Sequence, residues 1–288
     1  MPILGAHMSI GGGYYRSVER AHEVGCDCVQ LFTKNNNQWR AKAISEADAE
    51  SFCQALQASG VSHPLSHASY LINLASPKDD LWEKSVAAFA VELQRADQLG
   101  IPYVVLHPGS HTTSTPEEGL AAVARGLDEV HARVGDIGAQ CLLENTAGQG
   151  SNLGFQFEHL AVILDRVDAP DRVGVCIDTC HTFAAGYALE SADEYADTFS
   201  QLDTLVGLEK VKAFHLNDSK KEFASRRDRH ENIGEGCMGL EPFRHLVNDA
   251  RFEKVPMYLE TPKGVYEPTD EDWDTINLRT LRRLAAAE

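Results

Sequence analysis

The chain has 288 residues, 43% hydrophobic and 24% charged, with a formal net charge of −17. This is the profile of a soluble globular protein, long enough for one large barrel or two ordinary domains, and it excludes disordered and fibrous classes. The charge points away from a generic nucleic-acid binder, because phosphate contacts want Lys and Arg, unless bound metal ions concentrate positive charge locally.

In chain order, short apolar or β-branched runs alternate with amphipathic segments. ILGAH (3–7) reads as a first strand and leads to a helix over 14–24. CVQLF (28–32) leads to a helix over 46–59, and VSHPLSH (61–67) to one over 79–99, although Pro64 removes a ladder donor. YVVLH (103–107) precedes a helix over 116–134, and QCLLE (140–144) one over 156–167. VGVCID (173–178) is followed by 191–207, VKAFH (211–215) by 241–249, and PMYLE (256–260) by a tail helix from about 271. Ser45, Ser76-Pro77 and Thr115-Pro116-Glu117-Glu118 read as helix starts. Strands alternating with helices in this number predict an α/β fold, a (β/α)8 TIM barrel forming one domain over 1–288. A doubly wound open sheet is the alternative, but eight units over this length suit closure better.

No apolar run reaches the roughly 18 to 20 residues of a membrane span. The start MPILGAHMSI lacks the pattern of a secretory signal, so no membrane association and a cytoplasmic location are expected. Seven scattered cysteines, Cys26, Cys28, Cys53, Cys141, Cys176, Cys180 and Cys237, argue against a disulfide framework. Most lie in apolar runs and read as buried thiols, and with no CxxC pair a structural zinc finger is excluded.

The chemistry gathers at the strand ends. The last residues of the eight strands are His7, Phe32, His67, His107, Glu144, Asp178, His215 and Glu260. Seven of these are His, Asp or Glu, types that supply only 55 of the 288 residues (12 His plus 43 acids). Strand C-termini of a parallel barrel converge on one face, where active sites are built. Capping and loop hydrogen bonds explain single residues of this kind, but they do not place all of them at one point of the repeat.

Two clusters join that face. Asp178 and His181 lie in IDTCHTFAAGY (177–187), read as a strand end entering a Gly-containing loop. Asp228 and His230 lie in SRRDRHENIGEG (225–236), facing the same way if the segment is extended. His67, His107, His181, His215 and His230 with Glu144, Asp178, Asp228 and Glu260 exceed the ligand count of one catalytic zinc. The surplus asks for two or three metals with a bridging carboxylate, a set suited to phosphodiester cleavage. Gly234, Gly236 and Gly239 spell GxGxxG but follow a polar loop instead of a strand, so a dinucleotide site is not expected. Gly11-Gly12-Gly13 reads as a flexible loop, and nothing such as GxSxG suggests a serine triad.

Over almost its whole length the chain resembles the endonuclease IV family of apurinic/apyrimidinic DNA endonucleases. The matching segments are LFTKNNNQWR (31–40), HASYLINLA (67–75), HPGSH (107–111), LENTAGQGSNLGF (143–155), GVCIDTCHTFAAGY (174–187), FHLNDSK (214–220), SRRDRH (225–230) with GEG (234–236), and YLETP (258–262). The resemblance implies a zinc-dependent TIM-barrel hydrolase of base excision repair. It would nick damaged double-stranded DNA 5′ to abasic sites, leave a 3′-hydroxyl and clean 3′ ends, as a monomer. It assigns His67, His107 and Glu144 to a first zinc, and Glu144, Asp178, His215 and Glu260 to a second. His181, Asp228 and His230 fall to a third, and Mn2+ is a possible substitute. Glu144, bridging and positioning the nucleophile, and Glu260 are the catalytic residues so implied, with His7 behind the ligands. Tyr70 falls on a position that enters the duplex. A second inserting position, usually Arg in the family, is Asn37 here, and the often acidic residue after the first zinc His is Ala68.

Three Zn2+ would bring the formal total from −17 to −11 and set +6 against four ligand carboxylates, leaving the site net positive. Lys34, Arg40 and Arg229, with Lys220 and Arg226, are expected to contact DNA from nearby loops. Two competing readings stand beside this one: a one-metal sugar isomerase on Glu144, Asp178, His215 and Glu260, which leaves the other five ligands idle, and a non-catalytic metal-binding or damage-sensing protein, which predicts binding without scission.

Overall fold

The computed structural model describes residues 1–285. Eight parallel strands close into a barrel: β1 (Leu4–His7), β2 (Cys28–Leu31), β3 (Ser62–His67), β4 (Tyr103–Leu106), β5 (Gln140–Glu144), β6 (Val173–Asp178), β7 (Val211–Leu216) and β10 (Met257–Leu259). β1 and β10 pair to complete the ring, with Leu4 opposite Met257. Two short antiparallel ladders decorate it: β8 (Asp218–Ser219) with β9 (His230–Glu231), and β11 (Val265–Tyr266) with β12 (Glu271–Asp272). The helices are α1 (Tyr14–Glu23), α2 (Glu46–Ser59), α3 (Asp79–Gln98), α4 (Pro116–Val134), α5 (Phe157–Arg166), α6 (Thr179–Ala185), α7 (Ala192–Leu205), α8 (Glu241–Val247) and α9 (Trp273–Ala285). The expected TIM barrel is present, closed and not open.

Local signals explain several helix starts. Ser45 with Asp48 and Thr115 with Glu118 form reciprocal capping boxes, as Ser191 does with Glu194 ahead of α7. Ser76-Pro77 is different. α3 begins two residues later behind Lys78, and the Ser76 hydroxyl accepts from the Lys78 N–H in the turn before it. Pro64 is tolerated because β3 bulges beside it: Cys28 pairs with Ser62, Val29 with Pro64, and His63 between them takes a φ of 46°.

Strand alternation divides the interior into layers. Cys28, Leu65, Val105, Leu142, Cys176, Ala213 and Tyr258 form an apolar cluster inside the barrel, separate from the core between strands and helices. Two residues further along the chain from each of these stand Gln30, His67, His107, Glu144, Asp178, His215 and Glu260, with His107 and Glu260, expected as strand ends, one residue past β4 and β10. The side-chain period of two therefore places a polar layer on top of an apolar one, at the C-terminal mouth. Phe32, expected as the end of the second strand, lies past β2; the β2 residue in the polar layer is Gln30.

Candidate metal centre

Glu144 is the hub of the polar layer. It is fully buried at the end of β5, with Oε2 3.1 Å from His67 Nε2 and 2.9 Å from His107 Nε2. Its Oε1 lies 2.8 Å from His215 Nδ1 and 3.4 Å from His181 Nδ1. Among the described residues, donor atoms within 4.8 Å of one another form four groups: His67, His107 and Glu144; Glu144, Asp178, His215 and Glu260; Asp178, His181 and His230; and Cys180, Asp228 and His230. All nine side chains expected to hold metal belong to these groups.

The segment carrying His181 is a helix, not the loop expected from its glycine. Asp178 caps α6 by accepting from the His181 N–H at 2.8 Å, and Gly186 ends it. The cap leaves Asp178 Oδ2 to Asn217, whose amide donates to it at 2.6 Å. Seven residues are too few to show a helical period in the sequence. His181 Nδ1 meets the Asn145 carbonyl at 2.9 Å, which turns Nε2 toward Asp228. His181 Nε2 and His230 Nε2 are buried without a hydrogen-bond partner, and each lies 3.2 Å from an Asp228 oxygen. Orphaned imidazole nitrogens beside a carboxylate suit a cation, so the residues fit a metal here.

His230 reaches the site on the β8–β9 ladder and Asp228 on the loop just before it, and Asp218 holds that ladder. Its carboxylate accepts backbone N–H groups from Ser219, Gly234, Gly236 and Met238, at 2.7 to 3.1 Å. A Cβ on Gly236 would stand 2.4 Å from Asp218 Oδ1 and 2.5 Å from the Ser219 carbonyl oxygen. The GxGxxG run thus wraps an internal carboxylate instead of a nucleotide phosphate. Sequence reasoning missed Asp218, Gln30, Asn145 and Asn217. The signal available was an amide or acid inside an otherwise apolar strand or loop, and for Gln30 it was plain in CVQLF.

Burial alone would raise the Glu144 carboxyl, but His215 and His107 beside it hold it well below the usual range. Glu260, opposed by the same burial and favoured by His215 and His67, is held at about 2. Burial pulls His181 and His215 down, yet Asp178 and Asp228 raise the first, and Cys176, Glu260 and Glu144 the second, well above normal. His230 is raised to about 9 against burial, by Asp178 and Asp228. His7, behind them, is pushed by burial to about 3 and stays neutral.

Linkage gives these shifts a direction with pH. The depressed Glu260 contributes stability above the ordinary carboxyl range, lost as pH falls through about 2. The raised His230 contributes stability that is complete below 6.5 and lost as pH rises through about 9. Metal binding requires neutral imidazoles and so strengthens over that same rise. Metal-stripped protein is therefore expected to lose roughly 3 kcal/mol from His230 alone between about pH 6.5 and 9, and metal-loaded protein to be spared. Calorimetry at both pH values, with and without chelator, checks this; equal stability of the stripped protein at the two would contradict it.

A cleft of about 310 Å³ opens over the cluster, lined by His67, Tyr70, His107, Asn152 and Asp228 among others. Tyr70 is 57% exposed, with its ring 5.3 Å from that of His67 and 5.9 Å from that of His107. Asn37, Arg40, Lys220, Arg226 and Arg229 lie on loops at this end, outside the core. Arg226 stacks on Phe155 at 4.6 Å, and Lys220 pairs with Glu231 at 3.6 Å. Lys34 corrects the expectation of a DNA contact. Its ammonium is buried against Glu92 at 3.0 Å and the Gln38 carbonyl at 3.0 Å, so it is committed to the interior. All seven cysteines are free thiols, with only Cys53 and Cys237 exposed.

Comparison with known proteins agrees with this geometry. A family model described as the xylose isomerase-like TIM barrel matches residues 18–284. A probable endonuclease 4 from Chloroflexus aggregans is 52% identical over 99% of this chain and 98% of its own. One from Citrifermentans bemidjiense is 48% identical over 99% of both. The crystal structure of endonuclease IV from Thermus thermophilus superposes with a TM-score of 0.87 at 38% identity, covering 100% of each chain. A D-psicose 3-epimerase, at 15% identity and a TM-score of 0.68, shares the fold alone. With full-length identity near one half, and a donor cluster at the mouth of the same barrel, this chain belongs to the endonuclease IV family.

Proposed function

We propose that the chain is a zinc-dependent deoxyribonuclease that hydrolyses the phosphodiester bond 5′ to abasic sites in duplex DNA, leaving a 3′-hydroxyl. Its place is base excision repair, with cleaning of blocked 3′ ends, and it acts as a one-domain monomer. The observation that carries this reading is the sharing of Glu144 between two donor groups, with a third group beside them. His67, His107 and Glu144 would hold one zinc, Glu144, Asp178, His215 and Glu260 a second, and His181, Asp228 and His230 a third. Mn2+ suits the same donors as a replacement. Bound ions would polarise the scissile phosphate and supply a hydroxide near neutral pH.

The groups around the cluster have their own tasks. The main-chain carbonyl of Asn145 orients His181 by accepting a hydrogen bond from its Nδ1. The exposed ring of Tyr70 stands at the mouth, where it can fill the gap left by a missing base, and Asn37 lies on the neighbouring loop. A site lacking its base costs less to open than an intact pair, which suits such a lesion as the target. Arg40 and Arg229, on loops at the same end of the barrel, would meet phosphates.

Protein as purified is expected to nick an abasic duplex without added magnesium and to carry about three zinc ions per chain. A strong chelator should abolish the cut. Elemental analysis giving one metal or none, or cleavage that survives chelation, would overturn the reading. Metal and DNA binding without scission would mark a sensor instead.

A further inference from the structure

We propose that Gln30 is a positioning residue for the donor cluster, its side-chain amide setting which nitrogen of His215 faces the cluster while bracing Glu260 beside it. The inference rests on the metal-binding reading above. Gln30 is fully buried in β2, a strand buried along its whole length, between the apolar neighbours Val29 and Leu31. Packing alone asks for an apolar side chain there. An amide in that place is tolerated only with its polar atoms paired.

The pairing is complete and its sense is forced. The Gln30 amide nitrogen lies 2.6 Å from Glu260 Oε1 and 2.9 Å from His7 Nδ1, and its oxygen 2.7 Å from His215 Nε2. An ionised carboxylate can only accept, so the group facing Glu260 is the –NH2. The carbonyl oxygen is thereby turned to His215 and also only accepts, so Nε2 of His215 carries the proton. When the ring gives up its other proton, as metal binding requires, Nδ1 is therefore the nitrogen that presents a lone pair. That atom lies 2.8 Å from Glu144 Oε1 and 3.3 Å from Glu260 Oε2, on the side where the donors converge. Two of the four donors in the group formed by Glu144, Asp178, His215 and Glu260 therefore depend on one neutral side chain. Its second N–H is spent on His7, which ties β1 into the same arrangement.

Gln30→Met keeps the length and flexibility of the side chain and deletes both functions of the amide; Gln30→Leu is the second variant. Metal-loaded wild type and variants are challenged with excess chelator, and the metal retained per chain is followed with time. A folded variant should release one metal equivalent about 10- to 100-fold faster than wild type, the remainder leaving at wild-type rates. Its kcat should fall with KM little changed. Release indistinguishable from wild type overturns the assignment, as does uniform acceleration of every equivalent, which marks a loosened barrel. Wild-type protein that holds no metal overturns the underlying reading instead, so the two failures are distinct. A measurement on unmutated protein stands independently of either variant: 15N NMR of the loaded form should find the His215 proton on Nε2, and a proton on Nδ1 would overturn the proposal.

Discussion

Glu144→Gln is expected to slow nicking of an abasic duplex by about a thousand-fold or more, with the barrel intact by circular dichroism. The substitution is nearly isosteric, so the apolar layer below, including Leu142, keeps its packing. What changes is the hub. Each carboxylate oxygen now serves a different set of neighbours, Oε2 toward His67 and His107 and Oε1 toward His215 and His181. An amide offers one acceptor and one donor, and the donor has no lone pair to share. One of the two donor groups therefore loses its common member and the site loses a negative charge. A loss of about 4 kcal/mol in transition-state stabilisation corresponds to the thousand-fold effect. Metal per chain should fall alongside the rate. A variant that nicks within about tenfold of wild type would sink the shared role of Glu144.

Glu92→Ala should cost about 3 to 5 kcal/mol of folding stability, although Glu92 lies outside the metal centre. Glu92 is a buried residue of α3, and its oxygens accept from Lys34 Nζ at 3.0 Å, the Ser69 N–H at 3.2 Å and the Thr33 hydroxyl at 3.0 Å. Removing it strands the Lys34 ammonium, whose side chain is 4% exposed, without a counter-charge. Replacing both partners, as Lys34→Met with Glu92→Leu, should recover most of the loss, because an apolar pair carries no desolvation penalty. Urea unfolding of the single and double variants measures this directly. A double variant no better than Glu92→Ala would contradict the ion-pair account. The same contacts join the loop of Asn37 to the loop of Tyr70, and the Ser69 hydroxyl donates to the Asn36 carbonyl across them. KM for abasic DNA should accordingly rise in Glu92→Ala more than kcat falls.

The alternation of short apolar runs with amphipathic segments is enough to predict a closed parallel barrel, because strand and helix leave different periods in the chain. Six of the nine candidate ligands are legible for a related reason. A barrel brings every strand end to one face, so residues such as His67 and Glu260 declare themselves by position in the repeat alone. The segment 179–185 hides its helix, being too short for a period and capped by an acid that also belongs to the site. Lys34 misleads because its counter-charge, Glu92, is 58 positions away on another element (92 minus 34). A lysine near a loop looks the same whether it faces DNA or the core.

Sequence by itself thus determined the repeat, the family and the cluster of donors, all of which follow from local periods and from motifs kept in order. Only the tertiary structure decided which groups stand behind that cluster. Gln30, Asn145, Asn217 and Asp218 meet His215, His181, Asp178 and the β8–β9 segment through contacts between separate elements. Hydrogen-bond direction, burial and counter-charge are properties of neighbours in space, and barrel closure is what makes those residues neighbours.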